Sequence, residues 1–247
     1  MTRPTYELEC PEIRHWPVRM ETSSSVYKPL RVVDQQIRLL KLQRGKAADD
    51  LVGELEIVHL RDHPSFTALS YVWGDPTNQV PMTLNWRKHH ITESLAIALR
   101  KVRAEDVDQR LWIDAICINQ FDMREKSYQV QLMGEIYTQA TDTCIWLGEE
   151  ADDSNMAMDI IGSLNAGGVE ENPITVDGLQ AISKLQERPW WTRVWVIQGA
   201  CFSIAPTNIK QLNSYEYVSF YCSLTFTLQR PCFPRNQQSD VATRLFH

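Results

Sequence analysis

Leu111-Trp112-Ile113-Asp114-Ala115-Ile116-Cys117-Ile118-Asn119-Gln120 is apolar on both faces up to Ile118, broken only by one aspartate. A run of this kind reads as an interior strand covered on both sides, with the polar pair Asn119-Gln120 at its end. The flanking segments repeat the theme. Upstream, Phe66 to Trp73 reads as a strand closed by the turn signal Gly74-Asp75-Pro76. Thr92 then offers an N-cap to a helix with the stripe Leu95, Ala98, Leu99 and Val102. Downstream, Glu125 to Ala140 reads as a helix, with Val130, Met133, Ile136, Tyr137 and Ala140 at three-to-four spacing. Asp142 to Leu147 is a short strand ending at Gly148.

The alternation continues toward the C-terminus. Ser154 can cap a helix striped by Ala157, Ile160, Ile161 and Leu164 and ended by Gly167-Gly168. Asp177 can cap another, with Leu179, Ile182 and Leu185 inward, and Val194 to Ile197 is the last strand. Before the decisive run, Arg31 to Leu42 and Leu51 to Leu60 read as early strands. Strands alternating with helices predict an α/β fold: a layered, mostly parallel sheet flanked by helices. Ligands of such sheets sit beyond the carboxyl ends of the strands. Three polar clusters fall there: Trp73-Gly74-Asp75, Asn119-Gln120 and Gly148-Glu149-Glu150.

The chain of 247 residues has a formal net charge of −6. An acidic balance without a lysine/arginine cluster argues against nucleic acid as a partner. No run approaches the roughly 18 apolar residues of a membrane span. Cys10, Cys117, Cys144, Cys201, Cys222 and Cys232 form no Cys-x-x-Cys pair. Cys117 and Cys144 lie in apolar runs, which suggests buried thiols in a reducing, cytoplasmic setting. Residues 1–30 read as an extended leader, with Pro4, Pro11, Pro17 and Pro29. Residues 199–247 form an atypical tail that lacks tryptophan and has only Glu216 and Asp240 as acids; it reads either as a small second element packing on the sheet edge or as a mistranslated or truncated continuation.

Phosphate-loop, dinucleotide-fingerprint, nucleophile-elbow and His-Glu-x-x-His patterns are all missing. His89 and His90 are adjacent, so in a strand they point apart and chelate poorly; no metal site is expected. Asp114 reads either as a pocket acid or as a structural carboxylate bonded to loop amides or Arg193. Glu125 suits a helix start, where a carboxylate complements the dipole, and is also a candidate acid. Glu149 stands at the ligand-favoured edge, where surface acids are also common. Asn119 and Gln120 could bind a ribose or base, or satisfy the turn. Trp73, beside Gly74 at a strand end, suits stacking on a flat ligand. Arg193 suits either a carboxylate clamp or a phosphate contact.

Three blocks occur in a fixed order: Ser70-Tyr71-Val72-Trp73-Gly74, Leu111 to Gln120, and Trp190-Trp191-Thr192-Arg193-Val194-Trp195-Val196-Ile197-Gln198. Together they resemble the fungal heterokaryon-incompatibility domain. The resemblance begins at Ile37-Arg38-Leu39-Leu40-Lys41-Leu42, ends at Gln198, and suggests a domain over 31–198. Within the helix, Glu125, Gln129, Met133, Ile136, Tyr137 and Ala140 match the family's usual positions. Trp191 replaces a more usual phenylalanine, and Gly199 stands where the family continues with glutamate. The resemblance implies an intracellular module of self/non-self recognition and cell death. Such a module acts through protein partners, by self-association or with a receptor-type signalling protein. A distant likeness of the family to the Toll/interleukin-1-receptor domain implies a second course, hydrolysis of NAD or a nucleotide by a glutamate. A third course is a degenerate, inactive copy, suggested by Gly199 and the tail.

Overall fold

The computed structural model describes residues 26–165, 174–192 and 209–211. Ile37, Leu39, Leu40 and Leu42 are all shut off from solvent. The strand that carries them, β1 (Gln36–Leu42), lies inside the sheet and has a neighbour on each edge. The other strands are β2 (Val52–His59), β3 (Thr67–Tyr71), β4 (Gln79–Leu84), β5 (Arg87–Thr92), β6 (Gln109–Trp112), β7 (Asp142–Trp146) and β8 (Ile209–Gln211). Their order across the sheet is β5-β4-β2-β1-β6-β3-β7-β8.

The fold is α/β, but the sheet is mixed rather than mostly parallel. From β6 through β3 and β7 to β8 every pairing is parallel. On the other side, β1 runs antiparallel to both β2 and β6, β4 and β5 form an antiparallel hairpin, and only β2 with β4 is parallel. The reason is connection length. β1 and β2, and β4 and β5, are joined by short loops that permit only antiparallel pairing. Helices α1 (Glu93–Val102) and α3 (Met123–Gln139) supply the longer crossovers from β5 to β6 and from β6 to β7. Further on lie α4 (Ser154–Asn165) and α5 (Val176–Gln186). Among the described residues no helix is long and apolar enough to cross a membrane.

Core packing follows the strand period. Cys144 joins the large cluster built around β1, β3, β6, α1 and α3. Its neighbours Ile145 and Leu147 join a second cluster with Ala157, Ile161, Leu185 and Trp190. Successive residues of a strand face opposite ways, so β7 is covered on both sides. The buried Trp190 indole donates to Ser70 Oγ at 3.0 Å and ties the second cluster back to β3.

Several expectations need correction. The run Leu111 to Ile118 is not one strand: β6 ends at Trp112, and Asp114–Cys117 form a helical turn, α2. Asp114 starts that turn by accepting from the Ala115 amide at 2.7 Å, and the Cys117 amide bonds to Ile113 O. A fully buried turn and a fully buried strand look alike in periodicity. The cap of α5 is Thr175, which accepts from Gly178 N, and Asp177 lies in the first turn. The β4–β5 hairpin is absent from the sequence reading. Thr92 does cap α1 by accepting from Leu95 N. The buried Trp112 indole N–H has no acceptor among the described residues, and the ring meets Tyr137 edge-on at 5.6 Å. Residues 1–25, Gly167-Gly168, Arg193, Trp195, the expected strand Val194 to Ile197, and Gly199 lie outside the described residues.

Candidate functional site

The carboxyl ends of β3 and β6 are tied together by two sequence-predicted site residues. Trp73, two residues past β3, donates its indole N–H to both carboxylate oxygens of Asp114, at 3.2 and 3.1 Å. Both side chains are half-buried. Asp114 thus braces neighbouring strand ends through an indole. The loop that follows is closed by the other two candidates. Gln120 Nε2 donates to Asp114 O at 2.8 Å, and Asn119 Oδ1 accepts from Phe121 N at 3.2 Å. These are turn-closing bonds of the kind Asn commonly makes.

Glu125 is buried, and its partner comes from β1. Arg38, 1% exposed, grips both Glu125 oxygens at 2.6 and 2.9 Å. The same guanidinium donates to Cys117 O and Lys28 O and stacks on the Tyr27 ring at 5.0 Å. Glu125 also accepts from Asn119 N at 2.7 Å. The local cause is clear in α3. Asp122 takes the N-cap, accepting from Arg124 N and Glu125 N, which leaves the Glu125 side chain to reach inward. A planar fork matched to a carboxylate is the geometry arginine provides best.

Glu149 lies apart from these ties, on the wall of an open cleft of about 340 Å³. The cleft sits at the carboxyl ends of β3 and β7. Trp146, Gly148 and Glu149 come from β7 and its loop, and Asp75 and Asn78 come from the turn after β3. Glu93, Ser94 and Ile97 come from the first turns of α1. Gly74 lets the turn approach the helix. Its φ is +72°, and a Cβ there would stand 2.8 Å from Ser94 Cβ. Ser94 Oγ donates to Val72 O at 2.7 Å, and Asn78 Nδ2 donates to Glu93. Hydrogen bonds from the Thr77 hydroxyl and amide hold the Asp75 carboxyl below its usual range. Three carboxylates therefore face a cleft whose lining holds no cation. Arg188 stands close to Gly148, donates to Leu147 O and Ala151 O, and offsets part of this negative charge. Such a wall favours positively charged groups and repels phosphates.

Of the predicted residues, the structure joins Trp73 with Asp114 and places Asn119 and Gln120 around them. Glu125 lies behind, in the core, and neither Asp114 nor Glu125 lines the cleft. Burial pushes the Cys117 and Cys144 thiols up to about 12, in keeping with inert core cysteines. Among the described residues no group of His, Cys, Asp and Glu could hold a metal. The residue that sequence reasoning missed is Arg38. Its only signal was an arginine set between Ile37 and Leu39 on β1.

A family model described as heterokaryon incompatibility protein (HET) matches residues 66–199. The chain is 32% identical over 214 residues to "Heterokaryon incompatibility protein 6, OR allele" of Neurospora crassa, covering 67% of this chain. It spans only 32% of that relative's length. No solved structure matches the chain. With Trp73 bonded to Asp114, Trp190 bonded to Ser70 of β3, and more than half of the chain matched, the protein belongs to the heterokaryon incompatibility (HET) family.

Proposed function

We propose that this chain is a fungal heterokaryon-incompatibility module that serves self/non-self recognition and programmed cell death by associating with proteins. Family membership and the name of the Neurospora relative support the incompatibility part. The observation that favours association is the use made of two acids that sequence reading offered as catalytic candidates. Asp114 and Glu125 are bound to Trp73 and Arg38 as internal ties, away from the cleft. A second reading, an NAD- or nucleotide-hydrolysing effector, is favoured by Glu149 on the cleft wall at the strand ends. The acidic lining weighs against it, because NAD brings a pyrophosphate.

The test is expression of the full chain in a filamentous fungus, with viability scored and NAD turnover by the purified protein measured in parallel. Loss of viability without NAD turnover is the expected result. Turnover abolished by Glu149→Ala would replace this reading with the second. Neither toxicity nor turnover would indicate an inactive copy and sink both.

A further inference from the structure

The β4–β5 hairpin carries a feature that neither the core nor the cleft explains. Its two-residue tip, Asn85-Trp86, has φ of +50° and +64°, the left-handed pair of a tight hairpin turn. Asn85 belongs there. Its side chain accepts from Leu55 N at 2.8 Å and donates to Val26 O at 3.0 Å. The second position ordinarily takes glycine, because a left-handed conformation strains an L residue. Here it is Trp86, 77% exposed. A large aromatic held in solvent by a strained backbone adds nothing to stability.

Charge singles out the same hairpin. From Gln79 to Thr92 it carries Arg87, Lys88, His89 and His90 and no acid, in a chain whose net charge is −6. Arg87, Lys88 and His90 are exposed, and β5 ends the sheet. A lysine on an edge strand is an ordinary guard against aggregation. A naked tryptophan beside it has the opposite effect. At the other end of the hairpin lies its complement. The Glu93 amide bonds to Asn78 O at the hairpin base, and both residues line the acidic cleft with Asp75, Glu149 and Trp146. The six residues of β5 separate tip from cleft by about 20 Å. A paired hairpin cannot fold back onto its own base, so the tip cannot reach its own cleft.

We infer that the Trp86-Arg87-Lys88 tip of one copy docks into the Asp75-Glu93-Glu149 cleft of a second copy, a head-to-tail contact that deepens the association reading and rests on it. The basic side chains meet the carboxylates, and the tip tryptophan covers the apolar wall of Trp146 and Ile97. A tip and a cleft at opposite ends of one molecule form a heterologous interface. Such an interface builds open chains rather than closed dimers. A contact this small is weak singly and is steered by charge.

The experiment is sedimentation velocity of the purified full chain across the micromolar range, at about 10 and about 150 mM salt, where the screening length falls from about 30 to about 8 Å. Arg87→Glu/Lys88→Glu and Glu149→Lys are measured alone and mixed, with circular dichroism as the control for folding. The wild type is expected to grow beyond dimers with concentration and less so at the higher salt. Each variant alone should associate at least ~10-fold more weakly. Their equimolar mixture should regain association, because each supplies a partner for the other's altered end. A strictly monomeric wild type, association untouched by either variant, or a mixture no better than its parts overturns the inference. A chain that kills the host while its tip and cleft variants associate normally would remove this surface and leave the proposed function standing.

Discussion

Glu125→Ala puts the buried Arg38 in the position of a cation without its counter-ion. The variant removes two charge-assisted bonds, at 2.6 and 2.9 Å, and the acceptor of the Asn119 amide. Breaking a buried ion pair by deleting one partner costs about 3–5 kcal/mol. Arg38 keeps Cys117 O, Lys28 O and the Tyr27 ring, so the low end, about 3 kcal/mol, is expected. With a urea slope near 2 kcal/mol/M the unfolding midpoint falls by about 1.5 M. The assay is urea unfolding of the full chain followed by far-ultraviolet circular dichroism. Arg38→Met should cost a similar amount. Arg38→Met/Glu125→Leu together should cost less than either alone, because an apolar pair of similar volume leaves no charge stranded. A Glu125→Ala cost under about 1 kcal/mol, or single costs that simply add in the double variant, would refute the assignment of Glu125 as a structural tie. Either result would make it available again as a chemical acid.

Gly74→Ala should destabilise by about 1–2 kcal/mol from the left-handed backbone alone, with the 2.8 Å approach to Ser94 Cβ adding to it. An unchanged melting temperature would contradict the close packing of the turn on α1. Trp86→Gly should raise stability by up to about 1 kcal/mol while weakening self-association; a loss of stability would show that the tip is not strained. Cys117 and Cys144, with thiols raised to about 12 from their ordinary value of 9.0, should resist alkylation at pH 8 in the folded chain, read peptide by peptide in a mass spectrometer. The sign of the linkage is fixed by the upward shift. Their contribution to stability is whole below pH 9 and is lost as pH rises toward about 12, so a midpoint that holds steady across that window would count against their burial.

Elements with a private period were legible in the sequence. The stripe Leu95, Ala98, Leu99 and Val102 with its Thr92 cap gave α1 almost to the residue, since helix spacing and a capping hydroxyl are local facts. The run Leu111 to Ile118 was misjudged for the converse reason: when every side chain is buried, no face is left to reveal the period. The β4–β5 hairpin escaped because Asn85-Trp86 lacks the glycine that marks such turns. Trp73 and Asp114 were each singled out, yet their bond across two strand ends was not foreseeable, because it depends on β3 lying beside β6. Glu125 was read by its helix alone, and its partner Arg38 stands 87 residues away on β1. Long-range pairing of this kind leaves no local trace beyond a charge set among apolar neighbours.

That pairing also decides where the folded unit begins. The family match starts at residue 66, but β1 lies between β2 and β6 in the sheet. Without β1, the edge of β6 at Leu111 would be bare and Glu125 would be buried without its arginine. The hairpin depends on the same region: β4 joins the sheet only through Thr83 and Leu84 on β2, and Asn85 braces the tip against Leu55 and Val26. Residues 26–65 therefore hold both the core beneath the matched segment and the tip that projects from it. The two ends of the inferred contact differ in this respect. The cleft is built wholly from the matched segment, whereas the tip is positioned by strands outside it. Trp86, Arg87 and Lys88 themselves lie within the matched segment, so only the brace that positions them comes from outside it.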